Sequence, residues 1–155
     1  MDLRDLYQDI ILDHGQKPRN FRPQEHATHV QQGHNPLCGD RVTVYLTVEG
    51  DRITDVSFVG RGCAISTASS SLMTEVLKGK TLAEAKQLFQ SFHASVTGGE
   101  PPALSAALEE DFDRLSPLEG VKAYPARVKC ATLAWHAVEA ALKSGGKPAE
   151  PVKTE

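Results

Sequence analysis

The sequence predicts an α+β fold, a small antiparallel sheet of about three strands packed with helices. Two patterns carry this reading. Apolar and polar residues alternate with a period of two on either side of Gly50-Asp51, whereas apolar residues recur at three- and four-residue spacing before and after that region. Composition agrees: 40% hydrophobic and 24% charged residues are those of an ordinary globular domain, and only 6% aromatic residues predict an aliphatic core.

At the start of the chain, Leu3, Leu6, Tyr7, Ile10 and Ile11 mark a short amphipathic helix that Gly15 should end. Pro18 and Pro23 then fix backbone angles and remove hydrogen-bond donors, so this stretch reads as an irregular connection. A strand over residues 26–32 carries a weaker pattern. Val42, Val44, Leu46 and Val48 alternate with Thr43, Tyr45, Thr47 and Glu49, the period of a half-buried strand. After the Gly50-Asp51 turn, Thr54, Val56 and Phe58 alternate with Asp55, Ser57 and Val59, predicting an antiparallel return.

From Cys63 the period becomes helical, with Ile65, Ala68, Leu72 and Val76 on one face and Gly79 at the stop. The small residues of AISTASSS suit a helix pressed closely against its neighbours. Thr81 and Glu84 have capping-box spacing ahead of a stripe of Leu82, Ala85, Leu88, Phe89 and Phe92. The next stretch is punctuated by Gly98, Gly99, Pro101, Pro102 and Pro117, with one short helical piece around Leu104 and Leu108. Pro125 suits a first helical turn, and Val128, Ala131, Thr132, Trp135, Val138 and Leu142 extend the strongest helix of the chain to Lys143.

The 155 residues fit one domain, placed at 1–143, with 144–155 expected as a disordered tail because it lacks an apolar face. A formal charge of −3 argues against nucleic acid as a partner. No apolar run approaches the ~20 residues of a membrane span, and the opening residues lack a secretory signal, so the expected location is cytoplasmic. Three widely spaced cysteines, Cys38, Cys63 and Cys130, suit a reducing compartment better than a disulfide framework.

Each cysteine falls where an element should begin or end. Cys38 precedes a strand in NPLCGD, where Gly39 lets the backbone turn the thiol and the Asp40 carboxylate toward one point. Cys63 opens a helix, whose free N–H groups favour a thiolate, and Cys130 lies in the early turns of the long helix. Three thiolates and one carboxylate are a suitable donor set for tetrahedral zinc, and Arg61, Arg127 or Lys129 could offset the surplus negative charge. Spacing alone leaves other readings open: cysteines as small buried hydrophobes and Asp40 as a turn cap. His14 and His34 read as locally hydrogen-bonded or solvated groups before ligands, and Trp135 as core.

The segments LYQDIILDHGQKPRNF, NPLCGD, GRGCAIS and RVKCATLAW, in this order, resemble the IscU and NifU-like iron–sulfur assembly family, and its SufU branch most closely. The resemblance spans residues 6–142. It implies a small antiparallel sheet with helices and a metal site formed by Cys38, Asp40, Cys63 and Cys130. Lys129 stands where IscU-type scaffolds carry a histidine, their Leu-Pro-Pro-Val-Lys chaperone segment is absent, and a Gly- and Pro-rich stretch resembles the SufU insertion.

By this resemblance the function is iron–sulfur cluster biogenesis through a zinc-dependent sulfurtransferase. It accepts persulfide sulfur from a SufS-type cysteine desulfurase, stimulates that enzyme, and serves a downstream Suf scaffold complex. Cys38 is the expected acceptor, held back by zinc until a partner histidine takes its place, with Asp40 and Arg127 assisting. The alternative cofactor is iron or a [2Fe-2S] cluster assembled on the same four residues by a scaffold protein. A purely structural zinc is a third reading. In the family the N-terminal helix with Tyr7 docks a partner; here it does so or simply closes the core.

Overall fold

The computed structural model describes residues 3–147 and 150–154. Its elements are α1 (Leu3–Gln16), β1 (His29–Asn35), β2 (Asp40–Glu49), β3 (Arg52–Arg61), α2 (Ala64–Leu77), α3 (Leu82–Thr97), α4 (Ala106–Asp113), a 3-10 helix (Ser116–Ala123), α5 (Pro125–Ser144) and β4 (Val152–Lys153). The α+β expectation is met, with one addition to the sheet. Its order is β3-β2-β1-β4, the first three strands are antiparallel, and β4 pairs in parallel with β1.

The fourth strand comes from residues that sequence reading assigned to a tail without structure. Val152 and Lys153 lie opposite Gly33 and His34. Gln31 Nε2 donates to the Glu150 carbonyl at 2.9 Å, and the Thr154 N–H donates to the His34 carbonyl at 3.2 Å. A two-residue strand has no alternation to detect, and an open edge of β1 supplies the backbone partners. Residues 148, 149 and 155 of that stretch lie outside the described residues.

The alternation predicted for β2 and β3 holds from Val42 to Leu46 and for Val56 and Phe58, whereas a register shift at Thr47/Val48 turns Ile53 rather than Thr54 into the core. Val44, Leu46, Val56 and Phe58 turn inward against α2 and α5, all at 2% exposure or less. On the helix side, Met73, Val76, Leu88, Phe92, Leu133 and Trp135 complete one core. Phe92 and Trp135 stack with ring centroids 4.7 Å apart, and Trp135 Nε1 donates to Ser69 Oγ at 3.1 Å. A buried indole thus gains both area and a partner for its N–H.

The small-residue run of α2 is buried almost throughout, including Ser66, Ser69, Ser70 and Ser71. Its hydroxyls are satisfied locally or across helices, as where Ser69 Oγ donates to the Ala131 carbonyl. Because these side chains are short, α1 and α5 both approach α2 closely. His14 on α1 is held there: its Nδ1 lies 2.7 Å from Ser71 Oγ and its Nε2 3.8 Å from Glu75.

Candidate metal centre

Three structural features bring the predicted donors together at one end of the sheet. The first is the β1–β2 hairpin, whose turn displays Cys38. Asn35 shapes it: its carbonyl accepts from the Cys38 and Gly39 N–H groups at 3.3 and 2.8 Å, while its Oδ1 accepts from Leu37 N–H at 3.2 Å. Gly39 takes a φ of 74° in that turn. The Asn35 amide is fully buried and also points Nδ2 at Cys130 Sγ, 3.8 Å away.

Asp40, the first residue of β2, is 1% exposed and faces the helices. Its Oδ1 accepts the Cys63 N–H at 3.0 Å and its Oδ2 lies 4.0 Å from Cys63 Sγ. The carboxylate fits because residue 62 has no side chain: a Cβ there would stand 2.6 Å from Asp40 Oδ1.

The second feature is the start of α2, where Cys63 is the N-cap. Its Sγ accepts from Ser66 N–H at 3.4 Å, the place usually taken by a serine or aspartate oxygen. The third is α5, one turn and a half in, where Cys130 is 1% exposed and its Sγ lies 3.7 Å from Cys38 Sγ.

Sγ of Cys38, a carboxylate oxygen of Asp40 and Sγ of Cys130 all fall within 4.8 Å of one another, and Cys63 joins the group through Asp40. With zinc–sulfur bonds of about 2.3 Å, two ligands of a regular tetrahedron are about 3.8 Å apart. The Cys38–Cys130 separation of 3.7 Å has that length. A sulfur–oxygen edge is shorter, about 3.5 Å, so Cys63, 4.0 Å from Asp40 and outside the group whose ligand atoms lie within 4.8 Å, has to move inward to become a fourth ligand. Cys38, Asp40 and Cys130 therefore suit three corners of a tetrahedral metal with mixed thiolate and carboxylate donors, with Cys63 beside Asp40.

The electrostatics match. Burial pushes the Cys130 thiol up, reinforced by the neighbouring Asp40, Cys63 and Cys38, so without a cation Cys130 keeps its proton. Arg127, exposed on the first turn of α5, has its guanidinium held charged by Cys63 and Cys130. Sequence reasoning did not find Asn35 or Gly62, although an Asn-Pro turn and a GRGC segment were visible as local signals. His14 is tied to Ser71 and Glu75 rather than to the donors. His34 packs on the other side of β1, and Lys129 is half-buried with its carbonyl accepting from Thr154 Oγ1 at 3.4 Å.

A hairpin turn, a strand start and an early turn of a long helix thus gather two thiols and a carboxylate, with a third thiol at a helix N-cap beside them, in a small α+β protein. Residues 6–131 match the NifU-like N terminal domain family. The chain is 38% identical over 141 residues to an iron–sulfur cluster assembly scaffold protein IscU of Streptococcus pyogenes serotype M1, covering 91% of this chain and 85% of that one. It is 37% identical over 147 residues to the zinc-dependent sulfurtransferase SufU of Bacillus subtilis, covering 94% and 96%. The crystal structure of FiSufU from Fervidobacterium islandicum AW-1 superposes with a TM-score of 0.78 at 35% identity, covering 91% of this chain and 99% of that one. The chain belongs to the NifU-like N-terminal domain family of iron–sulfur cluster assembly proteins. Among the described residues, no helix is long and apolar enough to cross a membrane.

Proposed function

We propose that this chain is a zinc-dependent sulfurtransferase that accepts sulfur from the persulfide of a SufS-type cysteine desulfurase and delivers it to a downstream Suf scaffold complex. The observation that carries this reading is the inequality of the three thiols. Cys38 is exposed at a hairpin tip, Cys63 is partly covered and engaged as a helix cap, and Cys130 is buried. The first is the most open to a sulfur carried on another protein.

Zinc held by Cys38, Asp40, Cys63 and Cys130 would keep the thiols deprotonated and restrain their reactivity. The transfer itself is thiol exchange. The Cys38 sulfur attacks the outer sulfur of the donor persulfide, a new S–S bond forms on Cys38, and the bond between the two donor sulfurs breaks. Cys38 attacks as a thiolate and the electron pair leaves on the donor cysteine as a thiolate, the transferred sulfur keeping its own proton, so charge and atoms balance and no external oxidant or reductant is needed. Asp40 holds the Cys63 N–H and supplies the hardest, most exchangeable donor of the four. Arg127 offsets the charge of the thiolates beside it.

A second reading, a scaffold on which a [2Fe-2S] cluster assembles on the same residues, is supported by the IscU-named relative, as similar as the SufU-named one. Thiolate donors suit both. Protein purified without oxygen separates the two: stoichiometric zinc and a colourless solution support transfer, and a transferable iron–sulfur chromophore supports the scaffold.

Mixing the protein with a SufS-type desulfurase and L-cysteine, then mapping the added sulfur by mass spectrometry, tests the acceptor. Sulfur is expected on Cys38 and is lost in Cys38→Ser, while that exposed substitution changes stability by less than about 0.5 kcal/mol. Sulfur found on Cys63 or Cys130 alone would overturn the assignment.

A further inference from the structure

The sheet face turned away from the helices carries a feature that the metal centre does not use. In strand register, Lys153 of β4 stands opposite His34 of β1, His34 opposite Arg41 of β2, and Arg41 opposite Arg61 of β3. Directly paired residues share a face, so four basic side chains form one row across all four strands. With strands about 4.8 Å apart, the row is about 14 Å long. Lys153, Arg41 and Arg61 are exposed and His34 is half-buried.

Such a row is costly. Like charges placed directly opposite each other on a sheet are destabilising, and two arginines face each other here. Among the described residues none of the four side chains is ion-paired. Arg41 is turned away from the thiols: Asp40 is buried toward the helices, whereas its neighbour Arg41 projects to the opposite face. Since the whole chain carries a net charge of −3, this is a local concentration of positive charge in an acidic protein.

Part of the open face is covered, and this end is not. At the far half, Gln24 Nε2 donates to the Tyr45 carbonyl and Ser57 Oγ at 3.1 and 3.0 Å, and Gln24 Oε1 accepts from Thr47 Oγ1 at 2.6 Å. The connection between α1 and β1 thus lies over that half. Beyond it the face opens into a concavity of about 240 Å³ lined by His34, Arg41 and Lys153, with Thr43 and Gln32 as uncharged polar groups and no acidic residue. His34 is separated by only a short turn from Cys38 at the hairpin tip, and Arg61 is two residues from Cys63.

We infer that the Lys153–His34–Arg41–Arg61 row is the docking surface for an acidic segment on the protein that donates sulfur to Cys38. The inference rests on the sulfur-acceptor reading above and adds the chemistry by which the donor is recognised. An extended acidic segment matches a linear row of this length better than a single small anion, which would engage only one or two of the four cations. Charges in such a position act on encounter: they steer a partner of opposite sign and orient it over the hairpin tip, with less influence on how long the complex survives.

The test measures association of zinc-loaded protein with the SufS-type desulfurase at low and high salt, together with sulfur on Cys38 at saturating donor. In Arg41→Glu/Lys153→Glu the association rate at low salt is expected to fall on the order of tenfold, with the dissociation rate within about twofold and a flattened salt dependence. Arg41→Gln/Lys153→Gln should be intermediate, and labelling of Cys38 at saturation should be retained. Lys86→Glu/Lys143→Glu, exposed lysines on α3 and α5, makes the same change in net charge and should leave association close to wild type. Equal slowing by both pairs of reversals, or by neither, would overturn the docking surface while leaving Cys38 as acceptor. Failure of the unaltered protein to gain sulfur on Cys38 would overturn the acceptor reading and this inference with it.

Discussion

The two ends of the sheet are closed in different ways. At the end away from the thiols, backbone groups seal one another: Ile53 N–H donates to the Lys80 carbonyl at 2.8 Å, Gly79 N–H to the Ile53 carbonyl at 2.7 Å and Leu82 N–H to the Asp51 carbonyl at 2.8 Å. Thr81 and Glu84 complete a reciprocal capping box, and Lys80 pairs with Asp111 at 2.9 Å. At the other end the equivalent tasks fall to reactive groups. A thiol caps α2, a carboxylate holds the Cys63 N–H, and Arg127 is held charged by the sulfurs of Cys63 and Cys130. Groups that could make a tight, inert closure have been replaced by ones that also serve as ligands and nucleophiles.

The contrast can be sharpened by substitution. The largest effect is expected for Gly62→Ala, whose new Cβ would press against Asp40 Oδ1 and displace the acceptor of the Cys63 N–H. Stability should fall by about 2 kcal/mol, the cost of losing a buried charge-assisted hydrogen bond. Zinc affinity in a competition titration should fall with it. Retained affinity would show that Asp40 does not have to stay where it is to serve the site. At the sealed end, Thr81→Ala removes a helix cap and should cost about 1 kcal/mol in urea unfolding. Neither metal binding nor labelling of Cys38 should change; a change in either would mean that the two ends are not independent.

A gentler dependence is expected on pH. Burial holds His14 below the usual histidine value, opposed by Glu75 and Asp13 and helped by Arg19 and Arg114. Burial does the same to His136, helped by His93 and opposed by Glu139. In both cases the unfolded chain binds protons more readily than the folded one. Stability is therefore complete above about pH 6.5, declines as the pH falls through that value, and levels off below the folded-state values. The slope from each histidine is at most about 1.4 kcal/mol per pH unit. Thermal midpoints from pH 7.5 down to 5 should show the decline, and His14→Gln should make it shallower.

Much of the scaffold was readable from local chemistry. The capping box at Thr81 and Glu84, the alternation of Val42 to Leu46 and the helix opened by Pro125 all depend on neighbours in sequence, and all appear in the structure. What escaped depended on distant partners. β4 exists because β1 offers it an edge, and the 3-10 helix Ser116–Ala123 follows from packing of Leu118 and Val121 against the core in a stretch dense with proline and glycine. The site divided similarly. The element-end position of each cysteine was legible, and Cys63 does cap α2. Convergence of Cys38 with Cys130, 92 residues apart, was not, because no spacing rule relates a hairpin turn to the second turn of a remote helix. Family resemblance supplied that link. The basic row went unnoticed because its members are single residues on four strands, visible as a group only once the register is known.

The parallel pairing of β4 with β1 has one more consequence, for solubility. β3 forms one margin of the sheet and β1 would form the other were it not for Val152 and Lys153. A bare strand margin is a template on which a second molecule can add its own strand. The short final strand occupies that position at Gly33 and His34 and sets a lysine on it, a charge that resists stacking. A chain shortened before residue 150 would present an unprotected β1 beside the exposed Val30, and self-association through that margin is the hazard the last residues guard against.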